Sequence, residues 1–267
     1  MKTLQLGLNE AGHPQEPDGL FGSNTERALK AFQLSQGLLD NGIVGKATWS
    51  ALDPAIQRAV DSEQTAISEH LPTFDGDLLW VHLQEGHAGR PYWPEGKSGV
   101  TLDPGVDLGH AEPDLLEQLL SDHYGPLLSA EQRAAIDAVI GIKGDNAKAA
   151  LAADPILKSI RISRDQANKV FPVASRPYWN GISQRFPPLV DLDTPASVQT
   201  VLLSLAYNRG IHNHHLESLG PLLEAQDWVE LANKIGDMQQ RHKQKGIRIR
   251  RQHEAALIRA ELACLQA

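Results

Sequence analysis

Residues 85–110 read EGHAGRPYWPEGKSGVTLDPGVDLGH. Glycine and proline recur too often here for a helix, and the short β-favouring pieces between them predict turns and strands over 88–108. The stretch just before, Leu78 to Gln84, is apolar at helical spacing and is stopped by Gly86, so Glu85 sits at the C-terminal end of a short helix. The helix dipole and any apolar wall there both disfavour negative charge. A carboxyl in that position suits proton donation to a poor leaving group, as cleavage of a glycosidic bond requires.

From Asp77 onward almost everything else reads as helix. Pro113 to Tyr124 spaces Leu115, Leu116, Leu119 and Leu120 as a helix would, and Ser129 with Gln132 predicts a capping box ahead of Ile136, Val139 and Ile140, closed by Gly141. Further helices are predicted near 163–171, 195–206, 226–236 and 247–263. The fold class is therefore mainly α, with one small β-hairpin lobe.

Ser98-Gly99-Val100-Thr101-Leu102-Asp103-Pro104-Gly105-Val106-Asp107-Leu108-Gly109 resembles the β-hairpin motif of pesticin-type muramidases, S-G-V-T-x-x-x-G-x-D-L-G, a relative of the T-x-G-x-G-H hairpin of phage-type lysozymes. In both groups the hairpin follows a helix ending in E-G. The resemblance implies a lysozyme-like α+β catalytic domain in which Glu85 is the acid while Thr101 and Asp107 hold the attacking water. Asp103-Pro104 departs from the motif. It leaves Asp103 as an alternative to Asp107, and Pro104 is expected to remove a ladder N–H.

Two later segments resemble the same group. Val201 to Gly210 is similar to the S-x-x-Y/F-N-x-G segment that closes the lysozyme cleft, and Gly246-Ile247, Arg250-Arg251 and Glu254 to Leu257 are similar to its C-terminal G-L-x-x-R-R-x-x-E-x-x-L helix. For Tyr207, Asn208 and Arg209 this implies either sugar contact or support of the cleft. Of Trp93, Trp179 and Trp228, Trp93 is the candidate for stacking on a sugar because it lies in the hairpin region.

The first fifty residues hold an internal repeat. Asp18-Gly19-Leu20-Phe21-Gly22 with Thr25 recurs 23 residues later as Asn41-Gly42-Ile43-Val44-Gly45 with Thr48. Asp-Gly and Asn-Gly favour tight turns, each feeding a helix, and Ser23 with Glu26 predicts a capping box. Ala28, Leu29 and Phe32 share a face against which Trp49 and Leu52 are expected to pack. With Ala28-Leu29-Lys30-Ala31-Phe32-Gln33 between the halves, the stretch resembles the bacterial peptidoglycan-binding domain, which implies a small three-helix wall-binding module. The expected organisation is this module over 1–55, a polar linker over 56–76 carrying Pro72 and Gly76, and the catalytic domain over 77–267.

Composition bounds the rest. Of 267 residues, 41% are hydrophobic and 22% charged, enough to fold, and the net charge of −8 disfavours nucleic acid as a partner. The basic run from Arg241 to Arg251 reads as a solvated helix face or a contact for an anionic polymer. One cysteine, Cys264, allows no internal disulfide. No apolar stretch suits a signal peptide or a membrane span. The expectation is a monomer without a cofactor, held in the host cytoplasm until released to the wall as a phage endolysin would be, whose partner is peptidoglycan. His212, His214 and His215 have poor spacing for zinc. Alternatives are a noncatalytic wall binder, a wall amidase or peptidase, and an injected antibacterial effector.

Overall fold

The computed structural model describes residues 1–15, 17, 19–243 and 245–265. Asp18, part of the first half-repeat, lies outside them. The N-terminal module is three helices, α1 (Lys2–Glu10), α2 (Ser23–Ser35) and α3 (Lys46–His70). Leu4, Leu8, Ala28, Leu29, Phe32 and Leu52 form its core. Trp49 departs from expectation: it is 42% exposed, because Thr48 turns inward in its place. The predicted Ser23 capping box also gives way. Gly22 is the cap residue and Ser23 the first helical one, with no side-chain cap bond.

The segment 56–76, polar with a helix-compatible middle, is helical through that middle. Helix α3 runs through Pro54 to His70, and Ile67, Leu71 and Phe74 enter the main core of the second unit. Proline is tolerated in a first turn but disfavoured deeper in a helix. Here burial on both sides of Pro54, by Leu52 and Ala55, outweighs the lost bond.

The second unit has two apolar clusters. The larger is built on α10 (Ala196–Arg209), whose residues from Ser197 to Ala206 are all buried. Around it pack α4 (Leu78–Gln84), α13 (Trp228–Asp237) and α14 (Lys245–Leu265). The smaller cluster holds the hairpin, in which β1 (Thr101–Leu102) pairs antiparallel with β2 (Val106–Asp107), together with α5 (Pro113–Gln118), α6 (Ala130–Asp137), α7 (Gly144–Ala153) and α8 (Pro155–Ser159). The capping box at Ser129 and Gln132 is present on α6.

Helix α9 (Arg164–Arg185) ties the two clusters together. Val170, Val173 and Ala174 face the smaller one, while Phe171, Trp179 and Ile182 face the larger. Sequence periodicity ends this helix at 171, before Pro172 and Pro177. The structure carries it through both prolines to Arg185, because the apolar residues on either side are anchored in the two cores. Pro104 sits in the turn between β1 and β2, where Gly105 N–H donates to Leu102 C=O at 2.7 Å, so no ladder bond is lost to it. Among the described residues no helix is long and apolar enough to cross a membrane.

Candidate functional site

Glu85 is the residue that ends α4, followed by Gly86 at φ +62°. Its side chain is 17% exposed, and it does not face the apolar wall expected from sequence: Oε1 accepts from Arg250 Nη2 at 2.5 Å. Arg250 is itself gripped by Ser204 Oγ (2.8 Å), Glu254 Oε1 (3.2 Å) and the Gln84 carbonyl (3.2 Å). The basic run is thus not a uniform solvated face, since Arg250 and Arg251 are 7% and 0% exposed. Arg251 Nη1 lies 3.1 Å from Glu254 Oε2. Burial lowers the Arg251 guanidinium to about 10, and burial raises the Glu254 carboxyl against the pull of both arginines. Breaking such a buried pair leaves an uncompensated charge, so this network fixes where Glu85 points.

In the hairpin, the register sets Thr101 directly across from Asp107. Asp107 Oδ1 accepts from the backbone of Gly99 and of Gly109, both at 2.9 Å, and Oδ2 lies 3.2 Å from His110 Nδ1. The carboxylate stays 26% exposed. Thr101 is 2% exposed, with its hydroxyl 3.4 Å from the Gly99 carbonyl. Asp103 is 3% exposed and used up locally: its carboxylate accepts from Ala88 N–H at 3.2 Å and Gly89 N–H at 2.5 Å, with His87 Nδ1 at 3.2 Å. Asp103 therefore ties the 87–89 loop to the hairpin, while Asp107 faces outward.

Two tyrosines that sequence reasoning did not single out report that Glu85 and Asp107 share surroundings. Burial first, then the charges of Asp103, Glu85 and Asp107, push the Tyr92 phenol up to about 12. Burial, then Glu85 and Asp107, raise Tyr178. Each phenol feels the charge of both carboxylates. Tyr92 bridges to Thr101 through two backbone bonds, and Tyr178 packs on Tyr207 at 4.6 Å. A signal was present: Arg-Pro-Tyr-Trp occurs twice, at 90–93 and 176–179.

The remaining candidates scatter. Tyr207 donates to the Pro104 carbonyl at 3.0 Å and so supports the hairpin from behind. Asn208 lines a small hollow with Gln84, Arg250 and His253. Arg209 is exposed and its charge acts on His215 and Arg251, away from the hairpin. Trp93 is half-buried, its indole N–H bound to the Ser98 carbonyl (3.1 Å) and its ring covered by Lys148 at 5.0 Å. Among the described residues no group of three or more His, Cys, Asp or Glu converges as a metal site.

In the N-terminal module the repeat has a physical basis that the sequence reading missed. Gln5 on α1 accepts from Gly19 N–H (2.8 Å) and donates to the Leu20 carbonyl (3.1 Å) and to Thr25 Oγ1 (3.1 Å). Gln33 on α2 repeats the pattern on Gly42 N–H (3.0 Å), the Ile43 carbonyl (2.9 Å) and Thr48 Oγ1 (3.2 Å). Gly19 and Gly42 have φ +80° and +71°, and the clamped turns hold Leu20 and Ile43 out at 68% and 67% exposure. Replacing either glutamine with Leu strands a turn amide and a carbonyl, with an expected cost of about 1–3 kcal/mol. Chemical denaturation of the module would measure it, and an unchanged midpoint would show the clamp to be dispensable.

His82, on the inner face of α4, is 1% exposed and stacks on Phe171 at 4.5 Å. Burial foremost, with Arg164 and His87 adding to it and Asn168 opposing, lowers it from 6.5 to about 4. The folded state keeps it neutral while the unfolded chain protonates it below 6.5. Stability is therefore lost as pH falls from about 6.5 to about 4, by about 3 kcal/mol in all. His82→Phe should flatten that part of the stability profile in urea titrations, and an unchanged slope would exclude His82 as its source.

Residues 1–52 match the family model described as a putative peptidoglycan binding domain. No curated protein matches the chain. The family match supports a peptidoglycan-binding module at the N-terminus and, with it, association with the cell wall.

Proposed function

We propose that the chain is a peptidoglycan glycosidase that hydrolyses the β-1,4 bond between N-acetylmuramic acid and N-acetylglucosamine. The observation that supports this reading is that Tyr92 and Tyr178 each feel the charge of both Glu85, at the end of α4, and Asp107, on β2. The wall-binding module supplies the substrate class.

In this mechanism the leaving sugar oxygen takes its proton from Glu85. Arg250 donates to Oε1, which leaves Oε2 to carry that proton and fixes the plane of the carboxyl. Asp107, through its outward oxygen, takes a proton from a water that bonds to the anomeric carbon as the glycosidic C–O bond breaks, while Gly99 and Gly109 hold the other oxygen still. Thr101, on the neighbouring strand, shapes the same end of the site. A separate water-directing carboxylate implies inversion at the anomeric carbon. The module acts by tethering: once it is docked on the wall, meeting the bond becomes effectively intramolecular.

The Glu85–Arg250 ion pair also favours a second reading, in which the carboxylate is structural and the chain binds wall without cutting it. Incubation with purified wall separates the two. New reducing ends, without new amino groups, support glycosidase action; new amino groups alone would indicate an amidase or peptidase, and neither product would indicate a binder.

A further inference from the structure

The hairpin alternates its side chains between two faces, as β-strands do. Val100, Leu102, Val106 and Leu108 point one way and are buried in the smaller cluster. Thr101 and Asp107, directly opposite each other, take the other face. Tyr92 extends that row. It forms an antiparallel bridge with Thr101, its N–H donating to the Thr101 carbonyl at 3.0 Å and its carbonyl accepting from the Thr101 N–H at 2.8 Å. Directly opposed residues project to the same face, so Tyr92, Thr101 and Asp107 stand in one line away from the core of the smaller cluster.

The alternation also sorts two aromatic neighbours. Trp93 packs against the smaller cluster, with its indole N–H bound to the Ser98 carbonyl at 3.1 Å. Tyr92, one residue earlier, takes the opposite face and is half-buried. Its hydroxyl is not committed. Tyr124 and Tyr207 each donate to a backbone carbonyl, of Asp103 and of Pro104, whereas the Tyr92 hydroxyl is neither buried nor hydrogen-bonded among the described residues. Burial first, then the charges of Asp103, Glu85 and Asp107, keep that phenol protonated up to about 12, so it is a donor at every working pH. An apolar ring face with one O–H donor suits a sugar ring that carries hydroxyl and acetamido groups.

We propose that Tyr92 contacts the glycan, its ring lying against one sugar and its hydroxyl donating to a polar group of that sugar. It takes the role expected of Trp93, whose ring is turned to the core and covered by Lys148 at 5.0 Å. The glycan as occupant rests on the glycosidase reading above; the face that Tyr92 shares with Thr101 and Asp107 does not. The two ends of the row are open, since Asp107 is 26% exposed, while Thr101 between them is covered. In line with Asp107, Tyr92 seats the sugar and takes no part in proton transfer.

All four tyrosines lie outside residues 1–52, so a tyrosine signal reports on the second unit and not on the wall-binding module. The full chain, labelled with ring carbon-13 tyrosine and carrying Glu85→Gln to prevent cleavage, is titrated with a soluble tetrasaccharide of alternating N-acetylglucosamine and N-acetylmuramic acid. The Tyr92 resonance, assigned by its loss in Tyr92→Phe, should shift and saturate. Without Glu85→Gln, Tyr92→Phe should lower kcat/KM for reducing-end release about tenfold, as loss of one hydrogen bond does. Its melting temperature should not change, because the hydroxyl bonds nothing in the protein. Tyr92→Ala, which also removes the ring, should lower kcat/KM further. A Tyr92 resonance unmoved by millimolar glycan overturns the proposal, and so does a Tyr92→Phe rate within twofold of native. If the resonance moves but the native chain releases no reducing ends, the glycosidase reading falls and Tyr92 remains a glycan contact. If the native chain cleaves and the resonance stays still, Tyr92 alone falls.

Discussion

Glu85→Gln should lower the rate of reducing-end release by about 10³-fold while the protein still folds and still sediments with wall. The substitution keeps an oxygen that can accept from Arg250, which stays bound to Glu254 Oε1 at 3.2 Å and Ser204 Oγ at 2.8 Å, although Glu254 then faces two arginines and some stability is lost. What is lost is the ability to give a proton to the departing oxygen, and general acid catalysis by a placed side chain is worth about 10² to 10⁴. The measurement is initial rate on purified wall, with wall sedimentation and thermal melting as controls. A residual rate within tenfold of native would remove Glu85 from the reaction. Asp107→Asn should also slow release, though less, since the amide still accepts from Gly99 and Gly109 and only water activation weakens.

The parts of this molecule that were legible in sequence are those set by local rules. The left-handed glycines Gly19 and Gly42, the Ser129 capping box and the break from helix to hairpin after Gly86 each depend on neighbours within a few residues. What was not legible depends on partners distant in the chain. Gln33 belongs to the quoted motif and Gln5 to none, yet what either does shows only once the turns that they clamp are folded against them. Arg250 belongs by sequence to a solvated basic run, yet Glu254 and Ser204, 46 residues before it, turn it inward to meet Glu85. Helix α9 outlasts two prolines because two cores hold it, which no local propensity records. For the candidate site, the hairpin motif located Asp107, but only folding distinguishes it from Asp103, whose carboxylate is consumed by the 87–89 loop.

The hairpin geometry makes a single methyl group the sharpest probe of that site. A Cβ on Gly99 would stand 2.4 Å from the backbone nitrogen of Gly109 and 2.6 Å from Asp107 Oδ1. Neither neighbour is the free end of a flexible side chain: one is backbone, and the other is the oxygen pinned by two amides. Relief requires the hairpin arms to part or the carboxylate to swing out, and either move breaks a hydrogen bond from a backbone N–H to Asp107. Overpacking of this kind costs about 1–3 kcal/mol, and at about 2–4 °C per kcal/mol for a unit of this size the melting temperature should fall several degrees. Activity should fall further than stability does, because displacing a catalytic group by about 1 Å costs on the order of 10²-fold in rate. Gly45→Ala is the matched control: its backbone is extended at φ −89°, and a Cβ there meets nothing within 4 Å. It should cleave like the native chain and melt only slightly lower, by the roughly 1 kcal/mol that alanine costs as the cap of α3. If Gly99→Ala also did so, the close approach of Gly99 and Gly109 around Asp107 would not be what holds the carboxylate proposed to direct water, and the hairpin would lose its place in the proposed mechanism.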